Sequence, residues 1–246
     1  MTTETFEYKD KTLGDTNGIM VATSSAVFHP TSTTTLLLRG VRQFINPCAS
    51  TTLDLGCGCG VVAVVLAKLI LPKAVIYASD ISAAAVQLTQ RNTAEHRLDV
   101  DCRCGSLFEP WAGKRFDVIV EDVAGMAEPI ARHSRWYPPQ IPSEADEDGT
   151  RWIVRILSQA AEFLIPNGQL FFPVLSLSKE AKILETAQKR FTSVVLLAEQ
   201  WYPLGADLLP HLTLIEGLMG RGQIEVKKKG SRWLWATKIY LATNPA

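Results

Sequence analysis

No run in this chain reaches the ~18–20 consecutive apolar residues that a membrane-spanning helix needs. Net charge is missing as well, since 25 Lys and Arg stand against 25 Asp and Glu. No overall basic field therefore predicts nucleic acid or a membrane surface as the main partner. Cysteine is scarce, with five in 246 residues. An odd count gives no complete disulfide framework and predicts a reducing, cytoplasmic setting. The opening MTTETFEYKDKT lacks the charged-then-apolar pattern of a secretory signal. The pairs Cys57/Cys59 and Cys102/Cys104 are spaced too tightly for a standard zinc site, so no metal is expected. One local basic run, Lys227 to Lys229 with Arg232, reads as the solvated end of a hairpin.

What is present is alternation. After a small N-terminal hairpin with a turn at Asn17-Gly18, the Ser/Thr cluster behind Pro30 starts a helix running to Phe44. Strands follow at 52–55, 74–79, 100–104, 116–120, 168–174, 192–200 and 233–242. Helices are expected at 60–70, 82–96, 148–164 and 177–190. Strands separated by helices of this length favour an α/β fold with a mostly parallel sheet. Two stretches break the pattern: a proline-bearing lid-like loop at 123–147, and a leucine- and glycine-rich insertion at 205–230.

The chemistry concentrates in LDLGCGCGVV, residues 53–62. Strand, glycine turn and helix in succession form a nucleotide-type site in an open sheet. Gly56, Gly58 and Gly60 alternate, whereas the dinucleotide fingerprint is G-x-G-x-x-G, and no Gly-Lys-Ser/Thr follows to hold phosphates. A ligand without phosphates suits this loop better. Asp80 ends the second strand, where an acid accepts hydrogen bonds from ribose hydroxyls. Ser106 and Leu107, in CGSLFEPW after the third strand, are placed to meet an adenine edge. Asp54 either orients the ligand's amino group or bonds the amides of the glycine loop.

With these pieces in order, the sequence from about Val27 to Val174 resembles the class I S-adenosylmethionine-dependent methyltransferases. VFHPTSTTTLLL, GSLFEPW and EDGTRWIVRILSQAAEFLIPNGQLFF are similar to the branch containing glutamine N5-methyltransferases and small-domain RNA methyltransferases. The resemblance implies a Rossmann-like, doubly wound, seven-stranded and mostly parallel sheet with an antiparallel last strand. Residues 1–46 would form an N-terminal extension packed on a methyltransferase domain at 47–246. It implies S-adenosylmethionine as cofactor and S-adenosylhomocysteine as product, held by Asp54, Gly56, Cys57, Gly58, Gly60, Asp80, Ile81, Ser106, Leu107 and Asp122.

The branch's Asn/Asp-Pro-Pro-aromatic motif after the fourth strand is replaced by Asp122-Val123-Ala124-Gly125. Asp122, Glu121 and Tyr137 are the expected catalytic residues. His29, His133, Trp136 and Tyr137 are expected to line the acceptor pocket. A small-molecule or peptide acceptor is the leading expectation, with protein glutamine or RNA as the alternative. A non-catalytic cofactor-binding scaffold is the reading from another class. No membrane partner is expected, and the oligomeric state is open.

Overall fold

The computed structural model describes residues 4–9, 18–123, 125–137 and 144–245. Asn17 of the expected hairpin turn lies outside the described residues. The flanking strands form as expected, β1 (Glu4–Tyr8) pairing antiparallel with β2 (Ile19–Thr23). This ribbon is tied to the rest by Asn92, which accepts from the Ala22 amide at 2.8 Å and donates to the Ala22 carbonyl at 2.9 Å.

The parallel half contains β3 (Thr51–Leu55), β4 (Val75–Asp80), β5 (Val100–Cys104) and β6 (Phe116–Glu121). It continues into β7 (Leu164–Leu175). β8 (Phe191–Pro203) and β10 (Arg232–Pro245) complete the order β5-β4-β3-β6-β7-β10-β8, with β10 antiparallel to both its neighbours. The seven expected strands are all there. An eighth, β9 (Lys227–Lys229), pairs antiparallel with β10, so the insertion contributes a strand that alternation did not reveal.

Helices cover both faces. On one side α1 (Ser32–Phe44), α2 (Val61–Val65) and α3 (Ala83–Glu95) help enclose a core that includes Leu37, Val41, Val64, Ile76 and Val120. On the other, α5 (Arg151–Phe163) and α6 (Glu180–Arg190) pack over Leu53, Ile119, Phe172 and Tyr240. The helix expected over 60–70 is divided. α2 gives way to a π-helical turn at Leu66–Ile70, where the Leu71 amide reaches the Leu66 carbonyl at 2.8 Å.

The two stretches that broke the alternation meet each other. The first carries α4 (Glu128–Ala131), and the second carries α7 (Leu212–Gly220). Met126, Ala127, Ile130 and Ala131 are buried with Leu208, Ile215, Leu218, Ile224 and Trp235 in a third core of their own. Polar contacts reinforce it: the His133 and His211 rings stack 3.7 Å apart, and Asp207 Oδ2 accepts from the Arg135 amide at 2.8 Å. No helix among the described residues is long and apolar enough to cross a membrane.

Candidate functional site

The carboxyl ends of β3, β4, β5 and β6 open into one cavity of about 720 Å³. Ligands of open α/β sheets bind beyond the strand ends, where strand order reverses. Here the reversal lies at β3, flanked by β4 on one side and β6 on the other. The turn after β3 is drawn into the sheet, since the Gly56 and Cys57 amides both bond the Ser79 carbonyl, at 2.8 and 3.0 Å.

The glycines serve two different ends. Gly58 has φ +52°, and a Cβ there would meet only the Phe28 carbonyl oxygen at 3.7 Å, so main chain is bared to the cavity. Gly60 has φ +79°, and its Cβ would lie 2.8 Å from the Thr89 side chain. It caps α2 and admits α3 closely without reaching the cavity wall. Gly56, Cys57, Gly58, Asp80, Ile81, Ser106, Leu107 and Asp122 do reach that wall; Asp54 and Gly60 do not.

Asp80 is the best-positioned of these side chains. Its Oδ2 accepts from the Gly58 amide at 3.0 Å and its Oδ1 from the Ser82 amide at 2.8 Å. Both oxygens are thereby fixed as acceptors, with lone pairs left for the hydroxyls of a sugar. Burial raises its pKa, and the amides of Ser82, Gly58 and Ile81 oppose that rise. Asp54 lies beneath the loop, where its Oδ2 accepts from the Ala63 amide at 2.9 Å. Burial pushes its pKa up to about 8 against the Ala63 bond, with the charges of Asp122 and Asp80 adding to the rise. That bond goes to an amide inside α2 rather than to the glycine loop itself.

The opposite end of the cavity is built from α1 and the segment after β6. Thr31 caps α1 by accepting from the Thr33 amide at 3.2 Å, and Thr34 Oγ1 accepts from the Thr31 amide at 3.3 Å. The Thr34 hydroxyl then donates to Asp122 Oδ2 at 2.6 Å. Thus the hydroxyl cluster that starts the helix also aims the carboxylate. Burial raises the Asp122 pKa to about 6, while the Thr34 bond holds it lower than burial alone would.

Tyr137 faces this carboxylate: burial and then the Asp122 charge raise its phenol pKa. Its ring lies 5.3 Å from that of Phe28. With Trp136 they give the cavity an aromatic wall, in place of the one that Val123 and Gly125 do not supply. Ala124 lies outside the described residues.

Three more expected site residues lie off the wall. Glu121 is off the cavity wall, fully buried, and accepts from the Val123 amide at 3.0 Å. Burial holds its pKa well above the ordinary carboxylate range, against the Val123 bond. Strand alternation separates it from Asp122, because successive side chains point to opposite faces. His29 turns outward, 4.0 Å from Glu4, and His133 is stacked on His211. Conversely, Phe28, Thr33, Thr34, Arg151 and Trp152 line the cavity without having been singled out. The run of hydroxyls at 31–35 was the signal for Thr34, but it reads equally as a simple helix cap.

Residues 19–122 match the model of the methyltransferase small domain. A release factor glutamine methyltransferase of Geobacter sulfurreducens is 37% identical over 128 residues, covering 50% of this chain and 45% of that protein. A ribosomal protein uL3 glutamine methyltransferase of Bradyrhizobium diazoefficiens is 37% identical over 127 residues, covering 48% of this chain and 38% of that one. The matched segment therefore spans less than half the length of either relative. Among solved structures, a Thermus thermophilus 16S rRNA N2 G1207 methyltransferase in complex with AdoMet and guanosine superposes with a TM-score of 0.64 at 16% identity. That superposition covers 98% of this chain and 50% of the other. Residues 19–122 are thus similar to the methyltransferase small domain, and the fold around them is the Rossmann-like one seen in the solved methyltransferase.

Proposed function

We propose that this protein transfers the methyl group of S-adenosylmethionine to a small molecule or to a group on a peptide. The acceptor atom would carry an N–H or O–H directed at Asp122. The observation that carries this reading is the charge of the cavity. Among the described residues, Asp80, Asp122 and Glu144 line it against one cation, Arg151, and Asp122 is held by a hydroxyl rather than by a cation. Buried carboxylates such as Asp80 and Asp122 that face no cation are costly, and a ligand bearing a sulfonium and an ammonium would offset that cost.

Asp80 would hold the ribose, the Gly58 backbone the amino acid portion, and Ser106 with Leu107 the adenine. When bound, the cofactor supplies an electrophilic methyl group. The chain's own contribution is orientation and exclusion of water, worth ~7–11 kcal/mol when the reacting atoms are well aligned. Asp122, ionised above about pH 6, accepts the acceptor's N–H or O–H and takes up its proton. Tyr137 and Phe28 pack against the group that bears it. The glutamine methyltransferases among the relatives favour a peptide acceptor over a free metabolite.

Calorimetry with S-adenosylmethionine and S-adenosylhomocysteine tests the reading. Both ligands should bind the wild-type protein. Asp80→Ala removes charge-assisted bonds worth ~1.5–3 kcal/mol, so affinity should fall roughly 10- to 100-fold. Asp122→Asn should keep cofactor affinity and lower the transfer of labelled methyl to peptide or metabolite fractions. Lack of cofactor binding at sub-millimolar concentration would leave only a scaffold role. Undiminished transfer by Asp122→Asn would remove Asp122 from the reaction.

A further inference from the structure

α3 carries buried polar side chains where it meets the glycine loop. Thr89 and Asn92, three residues apart and therefore neighbours on the helix surface, are both fully buried. The Thr89 hydroxyl donates to the Gly58 carbonyl at 3.1 Å and lies 3.3 Å from Cys57 Sγ. Asn92 has one acceptor oxygen and two amide hydrogens, and all are used. Its Oδ1 accepts from the Ala22 amide; Nδ2 donates to the Ala22 carbonyl and, at 2.8 Å, to the Cys59 carbonyl. A carboxamide is tolerated in a core when its bonds are made. Here those bonds join two segments far apart in the chain, β2 and the turn after β3.

Both segments run into the cavity. Cys57, Gly58 and Cys59 line it from the glycine loop. β2 ends at Thr23, and the chain passes on to Ala26, Val27 and Phe28, which line it as well. The two approach each other there, since a Cβ on Gly58 would lie 3.7 Å from the Phe28 carbonyl oxygen. Residues 19–23 themselves do not reach the wall; Ile19 and Val21 are buried in the adjoining core. Two consecutive loop carbonyls, of Gly58 and Cys59, are thus engaged by α3 before any ligand arrives, which preorganises the loop.

We infer that Asn92, assisted by Thr89, is a positioning residue for the cofactor, and that it couples the glycine loop to the β1–β2 ribbon. Docking of the ribbon then holds the loop and residues 26–28 in the arrangement that receives the cofactor, although β2 lines none of the cavity. By reciprocity, bound cofactor holds the ribbon down by the same factor. The inference rests on the reading of this cavity as the S-adenosylmethionine site. A side chain that only braced the fold would lower the melting temperature and leave the affinity of the folded protein alone.

Calorimetry with S-adenosylhomocysteine, together with hydrogen exchange, separates the two. Asn92→Ala loses the bond that holds the loop, and affinity of the folded protein should fall ~5- to 10-fold. Thr89→Val keeps the shape and loses the hydroxyl, for a smaller fall that Thr89→Ser should reverse. Val21→Ala loosens the ribbon from within the core without touching loop or cavity. It too should lower affinity, by about 5-fold, the low end of ordinary coupling. In the wild type the ligand should slow exchange at 19–23 as well as at 56–61, and in Asn92→Ala at 56–61 alone. Wild-type affinity in Asn92→Ala and Val21→Ala, with melting temperatures lowered, would overturn the inference. So would ligand protection that never reaches 19–23 in the wild type. Should Asn92→Ala fail to fold, Val21→Ala, Thr89→Val and the wild-type exchange pattern decide. A wild type that binds no S-adenosylhomocysteine sinks the cofactor reading and this inference together, whereas binding that the variants leave untouched sinks this inference alone.

Discussion

Asp54 sits under the glycine loop, fully buried, with the charges of Asp122 and Asp80 near enough to matter. In the unfolded chain its carboxyl ionises near 3.8, whereas in the fold it keeps its proton up to about 8. Between those values the unfolded state binds fewer protons, so this group makes stability fall as pH rises, levelling off above about 8. Asn in its place keeps an oxygen for the Ala63 amide and removes the titration. The melting temperature of the wild type should therefore decline more steeply from about pH 5 to about pH 8 than that of Asp54→Asn. At the upper end the variant should be the more stable of the two. Parallel melting profiles would mean that Asp54 is already ionised in the native state.

At the scale of the element, α1 does two things with one residue. Thr34 closes the helix cap through the Thr31 amide and aims Asp122 through its hydroxyl proton. Thr34→Val preserves shape and loses both bonds, for an expected loss of ~1–2 kcal/mol in chemical denaturation. Without the donor, the Asp122 pKa should move up from about 6, shifting the acid limb of methyl transfer to higher pH. Thr34→Ser should restore both readouts. An unshifted limb in the valine variant would separate α1 from the site. The same element marks the edge of what the sequence discloses. Hydrophobic period and glycine punctuation located the strands and the glycine loop, and Asp80 followed from its place at a strand end. The Thr34 contact spans 88 positions and depends on side-chain direction, which no local pattern encodes. Glu121 was expected at the cavity and lies off its wall for a related reason. A strand end puts successive residues on opposite faces, and without register the choice of face is open.

Over the whole molecule, the lid segment and the insertion form one packed layer rather than two independent loops. Leu218 is fully buried there with Ile130 and Met126. Leu218→Ala should cost ~2–5 kcal/mol of the stability of that layer. Because cooperative units open together, hydrogen exchange should accelerate at 126–131 as well as at 212–220. Exchange raised in α7 alone would mean that the two segments open separately. Tyr137 closes the acceptor end of the cavity from the same segment, so the variant should also lower methyl transfer.

The place of β10 has a bearing on how the chain is made. β8 pairs along its length with β10, and among the described residues nothing earlier in the sequence lies beside it in the sheet. A nascent chain that has just emerged through residue 203 therefore carries an orphan strand, with Val195 and Leu196 on it, until residues 232–245 clear the ribosome. Translation speed across the intervening insertion sets how long that strand waits, and a pause there would invite chaperones or a neighbouring polypeptide to take the vacant seat first.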